Sequence, residues 1–172
     1  FRDLLYVEGN LLAGLDLRAA QPTLLSYRTE DEDLRSDCLE DKLYNRISQT
    51  LSVSRTEAKE AYCWYCYGPN LEKQTTRNAR PYQVHKLFEK YYPRTYKYVW
   101  RKKSAKNYKN FSREMMALES KLFIDGIYQE MQQSKLFGLT VHDGLYCKAN
   151  DWQEVTRLVD DKLKSNLAKL FT

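Results

Sequence analysis

The chain has no hydrophobic run that approaches the roughly 20 consecutive apolar residues needed for a membrane-spanning helix. It also has no secretory signal pattern at Phe1, no internal repeat and no low-complexity tract. We therefore expect a cytoplasmic protein with no membrane partner. With 172 residues, of which 42% are hydrophobic and 30% charged, the chain is long enough for one domain with its own core.

The chain has few cysteines, and these could suggest two disulfides or a metal site. The four cysteines are Cys38, Cys63, Cys66 and Cys147. A zinc site built on the close pair Cys63 and Cys66 would need two more ligands from the other cysteines or from the two histidines. Reduced, partly buried thiols in an intracellular protein are the favoured alternative.

The net charge of +5 favours a polyanionic partner without proving one. Basic and aromatic residues alternate between positions 94 and 109, which suits phosphate contacts interleaved with stacking rings. The basic members are Arg94, Lys97, Arg101, Lys102, Lys103, Lys106 and Lys109. The alternative is an amphipathic helix with a solvated basic face and a buried aromatic face, and both descriptions can hold together.

The hydrophobic pattern predicts an α+β fold, with a small antiparallel sheet covered by helices on one side. Strands are predicted before Asp16 and on either side of a turn at Asp143-Gly144. Helices are predicted over 34–51, from Arg55 to Gly68 after a cap at 52–54, from Gln83 to Tyr92, from Pro93 to about Tyr108, over 111–132 and over 151–171. The polar segment 70–81 is the best candidate for a mobile loop.

Three segments carry residues suited to phosphoryl transfer. The predicted helix at Arg55 places Arg55, Lys59 and Tyr67-Gly68 at offsets of zero, four and twelve, which predicts that they share one face. Such a helix can bind a triphosphate at one end and place a ring beside a base at the other. Two carboxylates, Asp16 and Asp143, end or adjoin predicted strands. If each segment is considered alone, the simpler interpretation is that Asp16 and Asp143 are solvated turn residues. Arg55 and Lys59 would then form an exposed basic edge of the helix, paired with the nearby glutamates Glu57 and Glu60.

In order along the chain, these segments resemble motifs A, B and C of the family A nucleic-acid polymerases, which include bacterial repair polymerases and single-subunit phage polymerases. The resemblance covers about residues 11–148. It implies a single palm and fingers core, with fingers over about 52–110 and palm over 1–51 and 111–172. The implied activity is that of a DNA-directed DNA polymerase, which adds deoxynucleoside triphosphates to a primer 3′ end with two metal ions.

The resemblance also implies a role for individual residues. Asp16, Asp143 and the carbonyl of Leu17 would hold two Mg²⁺ ions, with Mn²⁺ as the substitute. Arg55 and Lys59 would hold the triphosphate. The remaining implied roles are a nucleoside pocket of Gln21, Cys63 and Tyr67, a primer-terminus contact at His142, and duplex contacts at Arg101, Lys102, Lys103 and Lys106.

Three departures from the family pattern point to a divergent, reduced member such as those of phages and mobile elements. Gln21 replaces the glutamate that excludes a ribose 2′-hydroxyl, Cys63 replaces an aromatic residue, and Gly144 follows Asp143 where glutamate is common. We expect a thumb, another domain or an accessory protein to complete the enzyme. Two alternatives remain, namely an inactive nucleic-acid-binding module derived from a polymerase, and an RNA-synthesising or priming enzyme.

Overall fold

The computed structural model describes residues 6–16, 19–73, 75–104, 108–141 and 144–169. The strands are β1 (Tyr6–Val7), β2 (Asn10–Asp16), β3 (Leu139–Val141) and β4 (Gly144–Lys148). The helices are α1 (Ala20–Thr29), α2 (Glu32–Leu39), α3 (Leu43–Leu51), α4 (Arg55–Tyr67), α5 (Ala79–Tyr91), α6 (Pro93–Ser104), α7 (Lys109–Ser120), α8 (Gln129–Gln133) and α9 (Trp152–Lys169). A π-helical segment, Lys121–Tyr128, joins α7 to α8, and 3₁₀ turns cover Thr76–Asn78 and Ala149–Asp151. Within these ranges, no helix combines the length and apolar character needed to cross a membrane.

The strands form a curled antiparallel sheet in the order β1-β2-β4-β3. The long strand β2 pairs with β4 from Leu12 opposite Lys148 to Asp16 opposite Gly144. Helices cover the sheet, so the predicted α+β class with a small helix-covered antiparallel sheet is confirmed.

The chain divides into two compact units. The sheet unit comprises Phe1–Ala20 and Ala117–Thr172, and the helical unit comprises Gln21–Met116. The predicted division near residue 51 differs from this one, because α1–α3 belong to the helical unit. Helix α3 packs against α4 within this unit. The ring of Tyr44 in α3 contacts the ring of Tyr62 in α4 edge to face, with centroids 5.9 Å apart.

The core of the sheet unit lies between the sheet and its helices. Its fully buried apolar residues include Leu145 and Cys147 from β4, Phe123 and Ile127 from the π-helical segment, and Val155 and Val159 from α9. Alternate residues of β4 supply this core, as the period of a strand requires. On the other face of β4, the ring of Tyr146 lies against Gly14, where an added Cβ would come within 2.7 Å of it.

The core of the helical unit is rich in aromatic rings. Tyr62 and Tyr65 of α4 both contact Phe88 of α5, with centroids 5.8 and 4.7 Å apart. Phe88 in turn contacts Tyr92, whose hydroxyl donates a 2.5 Å hydrogen bond to the buried carboxylate of Asp37. These contacts fix α4 against α5, and through Asp37 they join α2 to the same core.

The single helix predicted over 34–51 is wrong, because the segment forms α2 and α3 with a turn between them. Asp41 adopts a left-handed conformation with φ of 58°, and the Lys42 amide donates a 2.7 Å hydrogen bond to the Asp37 carbonyl. The break rotates Leu39 into solvent, where 68% of it is exposed, although the spacing predicted a core position.

The predicted boundaries of α4 are confirmed. Ser54 caps the helix in a capping box, because its hydroxyl accepts from the Glu57 amide while the Glu57 carboxylate accepts from the Ser54 amide. Gly68 ends the helix, and its amide donates to the Trp64 carbonyl. An added Cβ at Gly68 would come within 2.7 Å of that carbonyl oxygen, which explains glycine at this position.

Candidate functional site

The end of the sheet brings together the segments predicted to carry the two aspartates. Asp16 is the last residue of β2, and its Cα lies opposite that of Gly144, the first residue of β4. Val141, the last residue of β3, is also paired with Gly144. Three strands therefore meet at this point, where His142 and Asp143 stand in the sequence between Val141 and Gly144. Leu17, His142 and Asp143 lie outside the described residues, and Asp16 is described by its backbone alone.

The ligands predicted from the sequence, two aspartate carboxylates and the carbonyl of Leu17, are oxygen atoms, and such ligands suit Mg²⁺ or Mn²⁺ better than a soft metal ion. Within the described part of the chain, no group of three or more His, Cys, Asp or Glu side chains could hold a metal ion. The predicted site depends on Asp143, which is not in that part. All four cysteines are free, with Cys63 exposed and Cys66 buried.

On α4, the two cations of the motif B-like segment meet the same ring. The guanidinium of Arg55 and the ammonium of Lys59 each lie 5.5 Å from the ring centroid of Tyr44. Arg55 also forms a 2.5 Å ion pair with Asp41 and donates a 2.7 Å hydrogen bond to Asn45. Because both members of the ion pair are more than one-third exposed, water screens the pair and a phosphate can compete for the guanidinium.

Tyr67 does not share the face of Arg55 and Lys59, so that prediction is wrong. Twelve residues at about 100° each place Tyr67 about 120° around the helix from Arg55. Its ring instead stacks on Phe111 at 6.1 Å, and its hydroxyl donates a hydrogen bond to the side-chain carbonyl of Gln21. Gln21 lies in the first turn of α1, so this bond joins the motif A-like and motif B-like segments.

The glutamates of α4 are not the partners of Arg55 and Lys59 that the simpler alternative supposed. Glu57 is engaged in the capping box and forms a 2.9 Å ion pair with Arg80. Both interactions lower the pKa of Glu57, with the Ser54 amide as the largest cause. The ion-pair partner of Arg55 comes from the turn between α2 and α3.

A cavity of about 650 Å³ opens at the carboxyl end of α4. It contains two residues predicted to form the nucleoside pocket, Cys63 and Tyr67. Gly68 of the motif B-like segment also lines it. The other lining residues had no role in the predicted nucleoside pocket; they are Trp64, Pro69, Leu71, Thr75, Arg77, Asn78 and Tyr108. Trp64 is 53% exposed, so its indole is accessible in a cavity that Arg77 also lines. Of the four aromatic residues around Cys63 and Cys66, Trp64 and Tyr67 line the cavity, whereas Tyr62 and Tyr65 are buried in the core.

The basic segment divides into exposed and buried residues. Arg101 is exposed and lies 5.8 Å from the Tyr98 ring, while Lys102 forms a 2.6 Å ion pair with Glu114. Lys103 is 6% exposed, so its predicted role as a phosphate contact is wrong. The buried face of α6 runs through Thr95, Val99 and Lys103 at a spacing of four, which turns Lys103 inward. Lys106 lies outside the described residues.

No protein-family model matches the sequence, and no curated protein matches it either.

Proposed function

We propose that the chain is the palm and fingers core of a template-directed nucleotidyltransferase similar to the family A polymerases. Its activity would be DNA-directed DNA synthesis from a primer 3′ end. The observation that carries this proposal is the strand register that sets Asp16 opposite Gly144, the residue after Asp143. That register supports a common site for two carboxylates that are far apart in the sequence.

In the proposed reaction, the primer 3′ oxygen attacks the α-phosphorus of the incoming nucleotide. A new phosphodiester bond forms as the bond to the β-phosphate oxygen breaks, pyrophosphate leaves, and the hydroxyl proton passes to solvent. Two bound divalent ions would supply stabilisation of the attacking and leaving oxygens. Asp16 and Asp143 would hold them with their carboxylates, and Leu17 with its carbonyl.

In this proposal, residues of α4 would bind the nucleotide. Arg55 and Lys59 lie within one turn on an exposed face, and their charges suit the β- and γ-phosphates. In this proposal a phosphate replaces Asp41 as the partner of Arg55. The cavity beside Cys63 and Tyr67 would accept the nucleoside, and the hydrogen bond between Gln21 and Tyr67 would set the shape of its wall.

Charge distribution supports a nucleic-acid partner. Residues 73–113 contain 13 Lys and Arg but a single acidic residue, Glu89. Arg94, Lys97 and Arg101 are exposed on α6, opposite the buried face of that helix. Such a row of cations suits the phosphates of a primer–template duplex.

Primer extension with the isolated chain tests the proposal. The substrates are a DNA primer on a DNA template or on an RNA template, with Mg²⁺ or Mn²⁺ and either deoxy- or ribonucleoside triphosphates. We expect extension by deoxynucleotides on the DNA template. Duplex binding without any extension, combined with no nucleotide binding by calorimetry, would contradict the proposal and favour the inactive module. Preferential use of ribonucleotides would favour the RNA-synthesising alternative.

A further inference from the structure

The last turn of α6 holds the carboxyl end of α4 through a buried lysine. Lys103 stands where the pattern of Thr95 and Val99 would place an apolar side chain. Lysine is among the residues that are almost never fully buried without a partner. A side chain with 6% exposure at this position therefore needs a structural explanation.

The partner of Lys103 is the backbone of α4. Its ammonium donates a hydrogen bond to the carbonyl of Tyr65 and lies 5.3 Å from the centroid of the Tyr65 ring. The last carbonyls of a helix lack partners within that helix, and a cation near them is also favoured by the helix dipole. Lys103 therefore completes the hydrogen bonding at the end of α4.

A second contact from α6 falls on the other side of Tyr67. The side-chain amide of Asn70 donates a 3.0 Å hydrogen bond to the Trp100 carbonyl and a 2.7 Å bond to the Ser104 hydroxyl. The residue that Lys103 contacts, Tyr65, is thus two positions before Tyr67 in the sequence. Asn70 is three positions after Tyr67. Between these two attachments stand Tyr67 and Gly68, which line the cavity.

We propose that Lys103 is a positioning residue, which fixes the end of α4 so that Tyr67 meets Gln21 and forms the wall of the nucleotide-binding cavity. This inference rests on the function proposed above. Lys103 itself would touch neither nucleotide nor metal ion. Burial lowers the pKa of its ammonium to about 8, which agrees with a side chain withdrawn from solvent.

The test compares Lys103→Met, which keeps the length of the side chain and removes the donor, with Lys103→Arg, which keeps a cationic donor. Val99→Ala is the control, since it removes packing from the same face of α6 and leaves the contact with Tyr65 in place. Each variant carries 3-fluorotyrosine at position 67, and its fluorine resonance reports the surroundings of Tyr67 without requiring activity. Primer extension gives KM and kcat for the incoming nucleotide.

For Lys103→Met we expect a shifted or broadened resonance at position 67 and a KM raised about ten-fold, the equivalent of about one hydrogen bond, with kcat nearly unchanged. Lys103→Arg should move both values back towards those of the parent. An unchanged resonance in Lys103→Met would overturn the inference, and so would equal changes in Val99→Ala. If neither the parent nor any variant extends a primer, the proposed function is wrong. The fluorine resonance would still show whether Lys103 positions Tyr67.

Discussion

The hydroxyl of Tyr67 donates a hydrogen bond to the side-chain carbonyl of Gln21, across 46 residues of sequence. The resemblance to family A polymerases implied that both residues shape one nucleoside pocket, from two separate motifs. In the proposed pocket, the two side chains would therefore act together. The hydrogen bond also means that the amide of Gln21 is held by a neighbour, so substitutions at either position should affect the same pocket.

Gln21→Glu should strengthen the preference for deoxynucleotides. A carboxylate keeps the acceptor for Tyr67 and adds a negative charge, whereas an amide can also donate to a ribose 2′-hydroxyl. Selectivity worth part of a hydrogen bond corresponds to about a ten-fold change in the ratio of kcat/KM for the two sugars. The measurement compares deoxy- and ribonucleotide addition by the parent and the variant. Unchanged selectivity would mean that Gln21 does not line the ribose pocket.

Arg55→Ala and Lys59→Ala should each reduce nucleotide addition by about 10²–10³, the loss typical of removing a preorganised charge-stabilising group. Glu60→Ala is the matched control, because Glu60 is an exposed residue of the same helix. Glu57→Ala is unsuitable, since the loss of the capping box should cost about 1 kcal/mol of stability. Steady-state kinetics with folded variants provides the measurement. An equal loss in Glu60→Ala would indicate general damage to α4 and contradict the triphosphate-binding role.

Cys63 should be the thiol that a maleimide reagent modifies first, because Cys38, Cys66 and Cys147 are buried. Partial burial, followed by the charge of Glu60, raises the pKa of Cys63, so the rate of modification should increase with pH through neutrality. A nucleoside triphosphate with Mg²⁺ should slow the reaction. Mass spectrometry follows the labelling, with Cys63→Ser as the control. If calorimetry detects nucleotide binding while the labelling rate stays constant, the cavity is not the nucleotide site.

The stability difference between Lys103→Met and the parent should depend on pH. Burial lowers the pKa of Lys103 from 10.5 to about 8, so the unfolded chain binds more protons than the folded chain between these values. The contribution of Lys103 to stability therefore rises with pH across this window, and below pH 8 the full cost of burying its charge is present. Over the window, we expect the stability of the parent relative to the Met variant to rise by about 1–3 kcal/mol.

Denaturant unfolding at pH 7.5 and pH 10 measures this difference. Cys66 faces Lys103, but burial raises its pKa to about 12, so its thiol stays neutral over this range. Lys97→Met, a change at an exposed lysine of the same helix, should show no such dependence. A stability difference between Lys103→Met and the parent that is the same at both pH values would contradict the burial of a charged Lys103.

Local signals in the sequence predicted the boundaries that depend on local chemistry. The cap at 52–54 indicated the start of α4, Gly68 its end, and the turn residues Asp143-Gly144 a strand on each side. The break between α2 and α3 could not be predicted, because Leu39, Leu43 and Ile47 continue the helical spacing across it. What ends α2 is the left-handed conformation at Asp41, which residue type alone does not indicate.

The parts of the candidate site that depend on tertiary contacts were harder to predict. The residue type of Lys103 indicated a solvent-exposed phosphate contact, whereas its position on the buried face of α6 placed it inside. The partner of Arg55 is Asp41, 14 residues earlier in the sequence and not on the same helix. Such pairings arise from the packing of α3 against α4, for which the sequence has no local signal.

The most direct measurement of the central claim is primer extension by Asp16→Asn and Asp143→Asn beside the parent. Each substitution removes the charge of a proposed metal ligand while keeping the size of the side chain. We expect both variants to lose nucleotide addition, while their circular dichroism and their affinity for a primer–template duplex remain close to those of the parent. Extension at the parent rate by either variant would contradict the two-carboxylate site, and with it the proposed function.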